Sequence, residues 1–367
     1  MTLWSDALDR MRGRVLDTAA SAPAGFPHFA DPVTGAWTCS PGGDWTGGFW
    51  NGMLWLTAAA TGEARVRRWA EVWTERLRPR AQSDTVFRGF LFYYGAALGD
   101  ILLGEPLARE VGLLGAKALA ASYNPRAQAL PLGSEAEEAS DVGRGEANVD
   151  TVQAAALLLW AARHTDDLTL RDVALRHARR HVELCLRDDD SVCQSASFDP
   201  VTGAMLRRYT HKGITDQSTW ARAQAWGILG WTLTAQWSGD RGLLSPARRA
   251  ADWWLAHVPA DRVAFWDFDD PAIPAATRDT SATAIVAASL LKLAALLSPT
   301  EAGPYREAGE ATARALVERH LTADGILRDG CYNKRIGLAT SHELVWGSYY
   351  LYEALHVLTG RLDPLRI

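Results

Sequence analysis

Asp150 is the carboxyl whose surroundings best suit proton chemistry. It follows Gly143-Arg144-Gly145-Glu146-Ala147-Asn148-Val149 and opens a strongly apolar run, Thr151–Trp160. A carboxyl at a partly apolar wall loses hydration of its charged form, so its pKa rises and it can hold a proton near neutrality. An aspartate ahead of an apolar run also serves as a helix N-cap. On sequence alone both readings of Asp150 stand.

The densest polar and aromatic stretch runs from Tyr209 to Gly227 and contains His211, Lys212, Asp216, Gln217, Trp220, Arg222, Gln224 and Trp226. Residues four apart share a helix face, which pairs Arg222 with Trp226 and Trp220 with Gln224. Arg222 lies among apolar neighbours, and a buried guanidinium needs an anion. Asp216 or Asp279 would serve from within the protein, and a substrate carboxylate from outside. A third stretch, Asp44-Trp45-Thr46-Gly47-Gly48-Phe49-Trp50-Asn51-Gly52, joins glycines that permit close approach to two tryptophans. It suits a wall for stacking sugar faces and equally suits core packing. Most of the sixteen tryptophans read as core filling. The chain has no phosphate-binding or dinucleotide glycine loop, no HExxH pair, no GxSxG elbow and no His/Asp/Glu spacing suited to a metal. No cofactor and no metal are therefore expected.

The elements that hold these residues are helical. The 367 residues are 48% hydrophobic and 22% charged, with a formal net charge of −5. Acidic and basic residues are mixed, so no basic stripe points to nucleic acid. No run of about 18 uncharged apolar residues points to a membrane span. The start, Met1–Val15, carries Asp and Arg where a secretory leader has an apolar core. The four cysteines, Cys39, Cys185, Cys193 and Cys331, form no CxxC pair and read as reduced thiols. A cytoplasmic protein is expected.

Two helix types alternate. One is amphipathic and charged: Leu3–Ala19, Glu63–Leu77, Pro106–Ala120, Leu168–Leu186, Gly242–Ala256 and Gly303–Arg319. The other is apolar nearly all round and must be surrounded by protein: Gly48–Ala60, Gly89–Ala97, Thr151–Ala162, Trp220–Trp237, Ser281–Leu297 and Leu344–Leu358. Strand signals are scarce. A period of roughly 40 to 70 residues marks a repeat architecture. Six outer and six inner helices predict an all-α (α/α)6 barrel, formed by residues 1–367 as a single domain. An open solenoid would not need one helix of each pair to be so apolar.

In such a barrel the inner helices run parallel, so the residues preceding them gather at one mouth. Those positions are Asp44-Trp45, Asp84, Asn148 and Asp150, His211 and Asp216-Gln217, Arg278-Asp279, and His342-Glu343. Capping predicts Asp, Asn, Ser or Thr there, but not Trp, His, Arg and Gln as well. The collected helix N-termini favour an anionic ligand.

With these residues in view, the chain resembles glycoside hydrolase family 88, the unsaturated glucuronyl hydrolases, over nearly its whole length. The resemblance is carried by Trp45–Leu56, Gly89-Phe90-Leu91, Val149-Asp150 with Leu157–Ala161, and Phe198-Asp199-Pro200. It continues in the Thr210–Trp226 block, Arg278–Ala282, Gly330-Cys331-Tyr332 and Trp346–Tyr350. It implies hydration of a C4=C5 double bond in a terminal uronyl residue. Asp150 matches the family's acid/base aspartate. Arg222 and Trp226 match residues that shape the uronate pocket, and Trp45, His211, Gln224 and Tyr332 lie in matching motifs. The implied partner is a small carbohydrate or sugar-containing metabolite, bound by a monomer or homodimer.

The departures fall at pocket positions. Phe87 stands where the resemblance implies a second active-site carboxylate, and Asp84 would need a local shift to replace it. Gln194 stands for a histidine, Lys212 for a glutamine and Ala154 for an asparagine. With Arg88 beside Phe87, these changes imply a more cationic pocket and a more anionic substrate. The alternatives are a related α/α-barrel enzyme of different chemistry (a rhamnogalacturonyl-type hydrolase, a hydratase or an epimerase) and a non-catalytic sugar-binding relative.

Overall fold

A helix that is apolar on every side is stable only inside protein, and the chain's apolar helices build an inner ring. The computed structural model describes residues 2–136 and 143–367. Outer α1 (Leu3–Ala20) precedes strands β1 (Phe26–Ala30) and β2 (Trp37–Ser40) and inner α2 (Gly47–Thr61). Outer α3 (Ala64–Leu77) leads to an inner helix made of α4 (Arg88–Phe92), a π turn over Tyr93–Ala97, and α5 (Leu98–Leu103). Outer α6 (Pro106–Ala120) continues through β3 (Glu146–Asn148) to inner α7 (Ala154–Thr165). Outer α8 (Leu168–Cys185), β4 (Ser195–Phe198) and β5 (Met205–Tyr209) precede inner α9 (Ala221–Ser238). Then follow outer α10 (Leu244–His257), inner α11 (Thr280–Leu296), outer α12 (Pro299–Arg319), β6 (Glu343–Leu344) and inner α13 (Val345–Leu358). Each inner helix packs on the next, and α13 packs back on α2, closing an (α/α)6 barrel. Among the described residues no helix is long and apolar enough to cross a membrane.

Helical periodicity does not reveal the strands. Two small antiparallel sheets, ordered β2-β1-β6 and β3-β4-β5, stand in the connections before inner helices. Their strands have two to five residues, too few to show a period of two.

Two glycines set how closely the inner helices approach. A Cβ on Gly48 would lie 2.3 Å from the Phe90 carbonyl oxygen, and one on Gly89 2.6 Å from the Ala154 Cβ. Ala154, the departure that opens α7, is thus part of a backbone-tight contact between α4 and α7. The π turn is held from the side. Asn51 Nδ2, Thr74 Oγ1 and Trp55 Nε1 donate to the Gly95 carbonyl at 2.5, 2.8 and 3.2 Å. A carbonyl that departs from the helical ladder needs such donors.

The end formed by the inner-helix C-termini is plugged. Lys292 pairs with Glu353 at 3.0 Å, both 2% exposed, and donates to the carbonyls of Pro364 and Ile367. Gln236 donates to Leu365 and Ile367, and Arg366 to Ile101 and Leu102.

Burial also tunes histidines. Burial lowers the His356 pKa from 6.5 to about 4, with Arg361 and Arg12 adding to the shift. The unfolded chain therefore takes up a proton below pH 6.5 that the folded chain refuses, so stability present above pH 6.5 is lost as pH falls toward 4. The loss amounts to about 3 kcal/mol at its fullest. Replacing His356 with Leu is expected to flatten the decline of the urea midpoint between pH 6.5 and 4 by this one group's share. Denaturation curves across that range check it.

Candidate active site

The site is assembled around a short turn. β3 runs into a 3-10 turn, Val149–Thr151, and α7 begins only at Ala154. Asn148 caps this turn, its side-chain oxygen accepting the Asp150 N–H at 3.1 Å. The cap anticipated at Asp150 is therefore supplied two residues earlier. Asp150 itself is 6% exposed.

Three further contacts fix the turn. The Val149 N–H donates to the Gln194 carbonyl at 2.8 Å, and the Thr151 hydroxyl to the Asn148 carbonyl at 2.6 Å. His177, on outer α8, accepts the Leu130 N–H at Nδ1, so its proton lies on Nε2 and is donated to the Thr151 carbonyl at 3.0 Å. Burial holds the His177 pKa well below its ordinary range, aided by the neighbouring His181, so the ring stays neutral in this role. His177 gave no signal in the sequence beyond a place on an amphipathic helix.

Gln194 ties the turn to the Tyr209–Gly227 segment. Its Oε1 accepts the Lys212 N–H at 2.9 Å. The Lys212 ammonium lies 5.3 Å from the Tyr332 ring centroid and 5.7 Å from that of Trp220. His211 Nδ1 lies 3.0 Å from Ser195 Oγ. Asp267, buried on the opposite side, accepts from the Ile214 N–H and the Ser218 hydroxyl and so shapes the loop. Burial pushes the Asp267 pKa up.

An aromatic wall completes the site. Trp45 Nε1 donates to the Tyr332 hydroxyl at 3.2 Å, and the Trp45 ring lies 4.7 Å from Trp346 and 5.9 Å from Phe87. Phe87 stacks on Phe90 at 6.1 Å, and Phe90 lies 5.0 Å from Trp226. The structure thus brings Asp150, Gln194, His211, Lys212, Trp45, Phe87, Trp226 and Tyr332 into one connected neighbourhood.

Other expected residues lie elsewhere. Arg88 does not add charge to this neighbourhood: its guanidinium donates to the carbonyls of Thr85, Ala81 and Ala118 at 2.8, 3.2 and 3.0 Å. One residue beyond Phe87 on a helix points about 100° away, here toward α6. Gln224 likewise faces outward, accepting the Val192 N–H and donating to the carbonyls of Asp190 and Ala250. Asp84 accepts from the backbone and hydroxyl of Ser134 and lines a surface cleft of about 640 Å³ with Tyr123 and Arg144. The Ser134 bonds hold its pKa below the ordinary range.

Arg222 has its anion within the protein. Its Nη1 donates to Asp279 Oδ2 at 2.8 Å and to the Cys331 carbonyl at 2.5 Å, and its Nη2 to the Tyr332 carbonyl at 2.5 Å. Asp279 also caps α11 through the N–H groups of Ser281 and Ala282. Two more mouth residues are structural pairs, Arg278 with Asp261 and Glu343 with Arg14.

No family model matches the chain. Unsaturated glucuronyl hydrolase of Bacillus sp. (strain GL1) is 34% identical over 364 residues, 96% of this chain and 96% of that protein. Unsaturated chondroitin disaccharide hydrolase of Streptococcus pyogenes serotype M1 is 28% identical over 323 residues, 85% and 80% of the two chains. A solved UGL variant with dGlcA-Glc-Rha-Glc is 33% identical and superposes with a TM-score of 0.91 over 97% of this chain and 96% of that one.

Truncating Arg222 would leave Asp279 buried without its cation, at a cost of about 3–5 kcal/mol. Arg222→Met is expected to lose that much in chemical denaturation. Arg222→Met combined with Asp279→Asn is expected to lose less than the sum of the two single losses.

Proposed function

This chain belongs to the unsaturated glucuronyl hydrolases, glycoside hydrolase family 88, and from that premise we propose that Asp150 hydrates the C4=C5 double bond of a terminal unsaturated uronyl residue on a small saccharide. The Asp150 carboxyl gives its proton to C4, and positive charge develops at C5 and the ring oxygen. Water adds at C5 while the Asp150 carboxylate takes the water's proton, which restores the acid. The hemiketal so formed opens and releases the remaining sugar. One carboxyl suffices for both roles because the proton is given before the next is taken. This differs from displacement at the anomeric carbon, which uses two carboxylates.

The observation that carries this reading is the Asp150 turn. Its cap is supplied by Asn148, its backbone is fixed by Gln194 and His177, and Asp150 is buried. With Phe87 in place of a second carboxylate, acid and base duties both fall to Asp150. Lys212, whose ammonium lies against the Tyr332 and Trp220 rings, is the cation proposed to meet the uronate carboxylate. Trp45 and Tyr332 offer ring faces to the sugar.

Phe87 favours a second reading, a relative that binds uronyl sugars without turning them over. One assay separates the two: incubation with unsaturated disaccharides, following the ultraviolet absorbance of the double bond and the product mass. Loss of absorbance with uptake of one water supports hydration. Binding with unchanged absorbance supports the second reading.

Asp150→Asn is expected to lower kcat by about 10²–10⁴-fold with an unchanged melting temperature. Turnover at the parent rate would sink the assignment. Lys212→Gln is expected to raise KM about tenfold through loss of a charge-assisted bond, with little change in kcat, in steady-state assays at low salt.

A further inference from the structure

Arg187 is half-buried just past outer α8, in the turn that Leu186 and Val192 close, and has no part in the steps above. Its N–H donates to the Ser191 carbonyl at 2.8 Å, and its carbonyl accepts the Asp190 N–H at 3.1 Å. Gln224 of α9 grips the same turn at Asp190 and Val192. The guanidinium therefore projects from a fixed base. Its Nη1 donates to Ser191 Oγ at 3.0 Å and to Thr219 Oγ1 at 3.4 Å. Its Nη2 donates to Thr210 Oγ1 at 3.2 Å and to the Ser218 carbonyl at 3.1 Å. Thr210, Ser218 and Thr219 lie at the two ends of the loop between β5 and α9, so one side chain holds both ends together. None of these acceptors is a carboxylate, in contrast to Asp279 against Arg222.

Thr210 carries the connection inward. It is fully buried, and its Oγ1 also accepts the Gln194 N–H at 3.4 Å. The Gln194 carbonyl accepts the Val149 N–H at 2.8 Å, and Asp150 is the next residue. Three hydrogen bonds thus lead from the guanidinium through Thr210 and Gln194 to the turn that bears the Asp150 carboxyl. A planar guanidinium holds several acceptors in one geometry, which a flexible ammonium does not. We propose that Arg187 is a positioning residue for the reaction, acting through Thr210 and Gln194 to set where the Asp150 carboxyl stands. What that carboxyl does rests on the hydration reading above; the coupling of Arg187 to the turn does not. The hydroxyl and the peptide between them are uncharged and keep the cation at a distance from the acid, which a nearer cation would weaken. A small misplacement of a reacting group is costly in rate, and an interaction that matters only in the transition state is lost from kcat and not from KM.

The test has two readouts. The first is steady-state kinetics on an unsaturated disaccharide. Arg187→Ala is expected to lower kcat about 10–100-fold with KM unchanged. Arg187→Lys, which keeps the charge and a donor for Thr210, is expected to recover part of that loss. Thr210→Val keeps the shape and removes the acceptor, and is expected to lower kcat by a similar factor. Adding Arg187→Ala to Thr210→Val is expected to cost little more, because both break one chain. The second readout is amide hydrogen exchange. In Arg187→Ala the Val149 and Gln194 amides are expected to exchange faster, while those of Ser281 and Ala282 at the head of α11 keep their parent rates. A general loss of stability would speed all of them alike. Parent-like kcat in Arg187→Ala, a loss confined to KM, simple addition in the double variant, or an equal rise in exchange at both places would each overturn the proposal. If the parent consumes no unsaturated disaccharide, the hydration reading fails, and the exchange rates still decide whether Arg187 holds the turn.

Discussion

The Arg222 guanidinium, 1% exposed, and the Asp279 carboxylate, 0% exposed, meet at 2.8 Å where α9 and α11 begin. Removing two charges from water is costly, and their attraction offsets that cost only if the remaining donors and acceptors are also satisfied. Here the carbonyls of Cys331 and Tyr332 each take a further guanidinium proton, and the head of α11 takes the second carboxylate oxygen. One pair therefore joins two inner helices to the 331–332 loop. That loop supplies the ring that accepts from Trp45 and faces Lys212. Tyr332 and the Lys212 ammonium beside it inherit their positions from this buried ion pair.

The Asp150 turn follows the same logic in neutral form. Its supports are uncharged: an amide, a backbone carbonyl and an imidazole kept unprotonated by burial. A cation in any of these places would favour the ionised carboxyl and weaken it as an acid. The outer helix α8 thus holds the Asp150 turn in place through His177 while keeping its charged residues on the solvent side.

The barrel was legible because its signal is long and repeated: an all-round apolar helix such as α9 or α11 has no other stable place. The positions before the inner helices were legible for the same reason: Trp45 stands just ahead of α2 and Asp150 just ahead of α7. Arg88 and Gln224 were misplaced because a motif fixes neighbours along the chain and does not say which side of a helix faces the axis. Arg88 follows Phe87 by one residue and points to α6; Gln224 lies two residues from Trp226 and grips the Asp190 loop. Glu146 and Ser195 went unremarked because three- and four-residue strands have no period to read. The pairing of their strands, β3 with β4, joins segments nearly fifty positions apart.

The plug formed by Lys292, Glu353 and residues 364–367 makes the barrel a cup rather than a tube. A polymer cannot be threaded through a vessel closed at its base; it can only dip its tip. Under the hydration reading proposed above, cleavage in a vessel closed at one end would proceed one terminal sugar at a time. Turnover on long chains would then be governed by the supply of ends rather than by total sugar.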